Sequence, residues 1–409
     1  MRLTFCTTDG ANAFNGINAW LIRFLPALRA RGHDARVLLF PWSRPEHCTT
    51  LPLLRNLGVP VEPIFPFRDT ESAIRAILRH VRRSSPEVFV ANMVVPALFA
   101  GRWIRDAGIP TIAMLHNDDA EYRALAQLFA GPDESFRASA LVSISRHLVH
   151  VAEPLPAGLL ARCIPYGVPL PKNRATWDGA EPLRLVYHGR IVQQQKRIIE
   201  TVAACVRLAR ATGKVTADFF GSGPDEGLVR EALARDDAGG RVRFRGALSP
   251  VQVSDELRHH HVAVLLSDYE GLGLSILEAM AAGLVPVCFR TERGLPDLID
   301  DDINGIFVDD REIGFDAAIL QLLAEPSRWQ RLADQARQTV TRRFSEAAAL
   351  DAWESLLSEL VARAPRHRPP KRPGRIVLPP VHPDLKSEDR RYPGLARAIW
   401  RRLRFPFAP

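Results

Sequence analysis

Two hydrophobic rhythms alternate along most of the chain. Short runs of β-branched and apolar residues are each followed by a longer stretch with helical spacing of its apolar positions. In the first half the runs are Leu3–Cys6, Ala35–Phe40, Val88–Asn92, Thr111–Leu115, Ala140–Ile144 and Arg162–Pro165. In the second half they are Leu183–His188, Ala217–Gly221, Val242–Arg245, Val262–Leu266, Val285–Phe289 and Ile306–Val308. Strand–helix–strand repetition predicts an α/β protein whose parallel sheets are covered on both faces. Twelve strands are too many for one ordinary sheet, so two sheets of about six are expected.

The rhythm breaks over residues 171–182, where prolines and small polar residues show no periodicity and read as a linker. The expected organisation is a first domain over 1–170, a second over 183–344 and a closing helix within 345–363, spanning about Ser345 to Val361. Residues 364–409 lack either rhythm and form a tail.

The 409-residue length suits two such domains. No apolar run reaches the roughly 18 residues that would suggest a membrane-crossing helix, and the N-terminus lacks the apolar region of a secretory signal. Cys6, Cys48, Cys163, Cys205 and Cys288 are scattered without C-x-x-C spacing, so neither a disulfide framework nor a zinc site is indicated, and the expected location is cytoplasmic.

Charge changes the picture more. The net charge is +8, yet residues 363–409 hold 13 Lys/Arg against 3 Asp/Glu, a balance of +10 that leaves residues 1–362 at −2. A near-neutral body argues against a nucleic-acid partner. The proline- and arginine-rich tail reads as extended or disordered. Its stretch Arg390–Phe407 mixes arginines with Trp400, Leu403 and Phe405, a composition that suits peripheral contact with an anionic membrane surface. A solvated tail is the competing reading.

Candidate chemistry gathers where Val262–Leu266 runs through Ser267-Asp268-Tyr269-Glu270-Gly271-Leu272-Gly273 into a helix starting near Leu274-Ser275. In doubly wound sheets ligands sit off the carboxyl ends of the strands. Gly271 and Gly273 permit close approach of backbone to a ligand, and the helix N-terminus offers amides to an anion. Glu270 and Glu278 are acceptors of the kind that sugar or ribose hydroxyls need. Ser275-x-x-Glu278 is also the pattern of a helix capping box, an alternative duty for Glu278.

The stretch Glu270–Val287, E-G-L-G-L-S-I-L-E-A-M-A-A-G-L-V-P-V, resembles the E-x7-E signature of retaining glycosyltransferases of family 4. That resemblance implies a GT-B fold, two Rossmann-like domains facing across a cleft, and extends over about residues 1–361. It implies that Glu278 binds the ribose of a nucleotide-sugar donor. Glu270, with the amides near Gly271, Gly273, Leu274 and Ser275, would contact the donor sugar and phosphates. His188-Gly189-Arg190 through Lys196-Arg197 resembles the family's G-R-L…K-R segment, which implies that Arg190 and Lys196 hold the diphosphate. Gly221-Ser222-Gly223-Pro224 resembles a turn near the nucleotide base. Gly16 matches one member of the family's Gly-Gly pair beside the donor phosphates. His116, at the end of Thr111–Leu115, matches a histidine facing the donor sugar. Ile164-Pro165-Tyr166-Gly167-Val168 resembles I-x-N-G-V with Tyr166 in place of the asparagine.

The implied activity is transfer of a sugar from a nucleoside diphosphate to a hydroxyl of a glycan or lipid-linked acceptor, with retention and without a bound metal or other cofactor. Surface polysaccharide, lipopolysaccharide or glycolipid assembly is the expected setting. An epimerase or phosphorylase on the same fold, or a non-catalytic sugar binder, remains open on the sequence. His259-His260-His261 point in different directions on a helix end and read as structural. Asp118-Asp119 and Asp300-Asp301-Asp302 read as solvated faces.

Overall fold

The computed structural model describes residues 1–10, 15–42, 44–65, 68–235 and 238–385. The tail stretch Arg390–Phe407 and most of the loop between Gly10 and Asn15 lie outside the described residues.

The first domain is built on β1 (Arg2–Asp9), β2 (Asp34–Pro41), β3 (Val61–Pro63), β4 (Val88–Asn92), β5 (Thr111–Leu115), β6 (Ala140–Ser143) and β7 (Leu160–Cys163). The second uses β8 (Leu183–His188), β9 (Val215–Phe220), β10 (Val242–Gly246), β11 (Val262–Leu265), β12 (Val285–Phe289) and β13 (Ile306–Val308). All pair in parallel, in the orders β3-β2-β1-β4-β5-β6-β7 and β10-β9-β8-β11-β12-β13. The central strands read as continuous apolar runs because helices cover both faces. β4 and β5, for example, are buried at every position. The twelve expected runs are all strands. The additional strand, β3, is a three-residue edge ending at Pro63, too short and too exposed to leave a pattern.

Strand order reverses between β1 and β4 in one sheet and between β8 and β11 in the other. Such switch points open a crevice at the carboxyl ends of the strands. Both crevices face the same cleft.

Three segments outside the sheets pack on the two domains. Residues 171–182 form no helix or strand, but they are pinned to the second domain. Ala175 donates to Ala282 at 2.8 Å, and Trp177 stacks on His261 at 5.6 Å with Trp329 edge-on at 5.9 Å. The closing helix spans Glu346–Arg363, with the Ser345 side chain accepting from the Ala348 amide at its N-cap. It crosses back to the first domain. Its Trp353 is buried against Trp20, Phe24 and Phe5, and its outer face pairs Arg31 with Asp351 and Glu354, and Arg162 with Glu359. Residues 364–385 then run without helix or strand along the same domain. Arg82 and Arg75 donate to the carbonyls of Pro370 and Pro373, the Arg368 amide donates to Ala107, and Leu385 is buried. The proximal tail is thus extended as one of the sequence readings has it, but it is laid on protein, because its unpaired carbonyls meet arginines of the Thr70–Ser84 helix. No described helix is long and apolar enough to cross a membrane.

Candidate active site

On the second-domain wall, β11 ends at Leu265 and the chain turns through Glu270 and Gly271-Leu272-Gly273 into the helix Leu274–Ala281. Gly273, at φ +93°, is the N-cap and makes no side-chain cap. The alternative reading of Ser275–Glu278 as a capping box therefore does not hold. Leu274 and Ser275, in the first turn of this helix, line the cavity, where the helix dipole favours an anion. Gly271 has a different reason. A Cβ there would stand 2.0 Å from the carbonyl oxygen of His116, so a glycine lets the second domain touch the first at this point. At Gly221 a Cβ would stand 1.8 Å from the carbonyl of Gly189, so this glycine packs two strand ends beside the cavity.

The two carboxylates have distinct surroundings. Glu270 is buried, and both of its oxygens accept from the Lys196 ammonium, at 2.5 and 2.7 Å. Lys196 keeps one of its three donors for another ligand. Glu278 accepts at Oε1 from Arg23, which reaches across from the first domain, and at Oε2 from His188 Nε2 at 3.0 Å. Burial alone would raise its carboxyl, but the Arg23 charge and the His188 hydrogen bond outweigh it and hold the pKa at about 2. Glu278 is therefore ionised at neutral pH. Arg190 is exposed at the rim, with its carbonyl accepting from the Tyr187 hydroxyl at 2.7 Å.

The first-domain wall comes from several strand ends. Gly16 opens the helix Gly16–Ala30, whose N-cap Asn15 accepts from the Asn18 amide at 2.9 Å. A Cβ on Gly16 would lie 3.9 Å from Leu274 Cδ2, so two helix N-termini from the two domains meet here. His116 is buried at the end of β5. Its Nε2 donates to Asn92 Oδ1, and its Nδ1 accepts from the Tyr166 hydroxyl at 2.5 Å. The Asn92 amide nitrogen is occupied in turn by the Cys6 carbonyl, which fixes the tautomer. Burial pushes the ring's pKa down to about 3. His116 lines the cavity as a neutral ring with both nitrogens engaged, so it is not a proton shuttle. Tyr166, which stands where the resemblance has asparagine, stacks on His116 and packs against Trp20.

Together these walls enclose a cavity of about 480 Å³. His116, Arg190, Lys196, Glu270, Gly271, Gly273, Leu274, Ser275, Glu278, Gly16 and Gly221 all line it. The structure thus brings every predicted site residue to one place. At one end Phe220, Ala247, Leu248 and Val253 supply an apolar lining suited to a flat ring. Sequence reasoning passed over Arg23, His188 and Asn92. Arg23 left no signal, because its partner is 255 residues away.

Asp118 corrects the solvated-face reading. It is buried, and it accepts from Arg123 at 2.7 Å and His147 at 2.8 Å, with Arg293 of the second domain at 3.4 Å. Arg146 pairs with Asp297 at 2.8 Å across the same boundary. His260 and His261 are buried structural residues, as expected. His260 bonds Asp218 at 3.1 Å, and the His261 ring bonds the Arg184 amide at 3.1 Å.

Residues 14–170 match the family model "Glycosyltransferase Family 4", and residues 182–325 match "Glycosyl transferases group 1". A glycogen synthase of Mycobacterium tuberculosis is 30% identical over 192 residues, 46% of this chain and 46% of its own length. The lipopolysaccharide core biosynthesis glycosyltransferase LpsE of Rhizobium meliloti is 35% identical over 142 residues, 34% of this chain and 41% of its own length. The matched region thus spans under half the length of these relatives. In structure, Anabaena HepE in complex with UDP-glucose superposes with a TM-score of 0.72 at 17% identity, covering 88% of this chain and 100% of HepE. The pneumococcal O-GlcNAc transferase GtfA in complex with UDP and GlcNAc gives 0.70 at 12% identity, over 88% and 99%. At these identities the likeness is one of fold. The chain thus has the GT-B architecture, with a first half similar to the Glycosyltransferase Family 4 model and a second half similar to the Glycosyl transferases group 1 model.

Proposed function

We propose that the protein is a retaining glycosyltransferase that moves a sugar from a nucleoside-diphosphate sugar to a hydroxyl of a glycan or lipid-linked acceptor. The observation that carries this reading is the pairing of an ionised Glu278 with a Lys196–Glu270 ion pair, eight residues apart along one turn and helix, both opening on the inter-domain cavity. The similarity to glycosyltransferases in both halves supports it.

The barrier lies in breaking the bond from the anomeric carbon to the diphosphate. Charge develops on the leaving oxygens, which Arg190, the third donor of Lys196 and the amides of Leu274 and Ser275 would stabilise from the cavity wall. The ribose hydroxyls would donate to Glu278, and the apolar end lined by Phe220 and Leu248 would take the base. Glu270, held in place by Lys196, would orient the sugar hydroxyls so that its anomeric carbon faces the first-domain wall. His116 would line the sugar as a neutral ring. Attack by the acceptor on the face the diphosphate leaves gives retention, with the leaving diphosphate as the nearby acceptor of the hydroxyl proton. No bound metal is required by this route.

Surface polysaccharide, lipopolysaccharide or glycolipid assembly at the cytoplasmic face of a membrane is the proposed setting. The basic tail would meet anionic lipid there. The strap of residues 364–385 on the first domain means that such contact would bring the acceptor-side domain with it. Sedimentation with anionic vesicles, with and without residues 364–409, tests this, and equal binding overturns it.

The first test of the enzyme is thermal stabilisation by UDP, GDP, ADP and their common sugar conjugates, beside Glu278→Ala. One nucleotide should raise the midpoint, and the variant should lose the shift. Proton NMR of the product then reads the anomeric configuration, and inversion would overturn the retaining assignment. Sugar-nucleotide conversion without an acceptor would favour an epimerase.

A further inference from the structure

Arg23 belongs to the first domain, yet its guanidinium crosses the cleft to Glu278 Oε1, while His188 donates to Oε2 from the second domain. An ionised carboxylate accepts about four hydrogen bonds, two at each oxygen. Arg23 and His188 occupy one position on each, which leaves one on each for a vicinal diol. Arg23 is itself incomplete. Its Nε and Nη2 are buried and have no hydrogen-bond partner among the described residues. Buried guanidinium donors without an acceptor are costly, and natural structures rarely leave them so unless a ligand completes them. The side chain lines the cavity beside the carboxylate, where a ligand seated on Glu278 would offer the missing oxygen. Arg190 and Lys196 both belong to the second domain and can hold a diphosphate without the first. Arg23 can take part only when the halves are together.

We propose that Arg23 is a donor-positioning residue contributed by the first domain, which orients Glu278 toward the ribose diol and gives its remaining N–H groups to ribose–phosphate oxygens of the same nucleotide. Closure of the two domains and recognition of the nucleotide are then one event. The inference rests on the nucleotide-sugar reading above. A lysine should replace Arg23 only in part, because its ammonium lacks the fixed planar fork that sets a carboxylate and a second acceptor relative to each other.

The test is calorimetric titration of the full chain with UDP, GDP and ADP, and with the 2′,3′-dideoxy counterpart of whichever binds. Wild type, Arg23→Gln and Arg23→Lys are compared, with the ligand-free unfolding midpoint of each as a check on folding. The expected result is a loss of at least tenfold in affinity for Arg23→Gln and a partial loss for Arg23→Lys. The Arg23→Gln penalty should shrink at least threefold on the dideoxy ligand. Wild-type binding with Arg23→Gln within twofold of it, or an equal penalty on both ligands, overturns the role of Arg23 and leaves the transferase reading standing. No binding of any nucleotide by the wild type overturns that reading and this inference with it.

Discussion

The two walls of the cleft are made in opposite ways. On the second-domain wall the two carboxylates sit on one continuous piece of chain, in which β11, the glycine turn and the following helix deliver Glu270 and Glu278. The first-domain wall is a mosaic. Arg23 comes from the first helix, Asn92 from the end of β4, His116 from the end of β5 and Tyr166 from beyond β7, the last three joined by hydrogen bonds that bridge 24 and 50 residues of sequence. A continuous wall inherits its geometry from local backbone and can devote its side chains to a ligand. A mosaic wall uses its polar groups on one another first, as the doubly bonded ring of His116 illustrates. Changes to Glu270 and Glu278 should therefore fall on ligand binding, and changes to the Asn92–His116–Tyr166 network on stability.

The sharpest way to break this contrast is Glu278→Ala. Removing one partner of a buried ion pair should cost about 3 kcal/mol in nucleotide binding, roughly 100-fold in Kd. Calorimetry that finds less than a threefold loss would mean that this wall does not hold the nucleotide. Lys196→Ala comes next. It removes a charge aimed at the leaving group, and turnover should fall by about 100-fold with the fold intact, as steady-state kinetics and circular dichroism would read. On the other wall, Tyr166→Phe leaves Nδ1 of His116 buried without a donor. The expected cost is about 1–3 kcal/mol of stability in denaturant unfolding, with nucleotide affinity within twofold of wild type.

Acidity gives a gentler probe. His116 has its pKa depressed from 6.5 to about 3, so protonation favours the unfolded chain. Its contribution is complete above pH 6.5 and is lost as pH falls from there toward about 3, by at most about 1.4 kcal/mol per pH unit. Glu278, depressed from 4.5 to about 2, contributes stability above 4.5 that is lost as pH falls through about 2. His116→Gln should flatten the upper part of the acid limb. It should not abolish it, because His80 and His261 are depressed in the same sense. An unchanged limb would show that His116 is not held neutral by the fold. The smallest effect is expected from ending the chain at residue 363. Losing the strap and buried Leu385 should cost about 2 kcal/mol and lower the midpoint by a few degrees, without altering nucleotide affinity.

The same contrast explains what the sequence made legible. The strands of both sheets and the Glu270–Glu278 segment announce themselves because hydrophobic period and glycine placement are local properties. β3 does not, because three half-buried residues carry no period. Asp118 looked like half of an exposed acidic pair because its three partners come from separate elements, one of them in the other domain. Ser275–Glu278 matched a capping box in spacing, but the chain starts the helix on Gly273 and gives Glu278 to Arg23 and His188. Tyr166 showed as a departure from a pattern. Only the fold reveals that its hydroxyl completes the bonding of a buried histidine.

The closing helix has a consequence for how the protein is made. Trp353 sits in an aromatic cluster with Phe5, Trp20 and Phe24, so part of the first domain's interior is encoded near the end of the chain. During synthesis the amino-terminal half emerges first, with a gap in its core that stays unfilled until Trp353 leaves the ribosome. Residues 1–170 expressed alone should expose that aromatic surface and aggregate. In the cell a nascent chain of this protein has a long interval in which chaperones, rather than its own sequence, must shield its first domain.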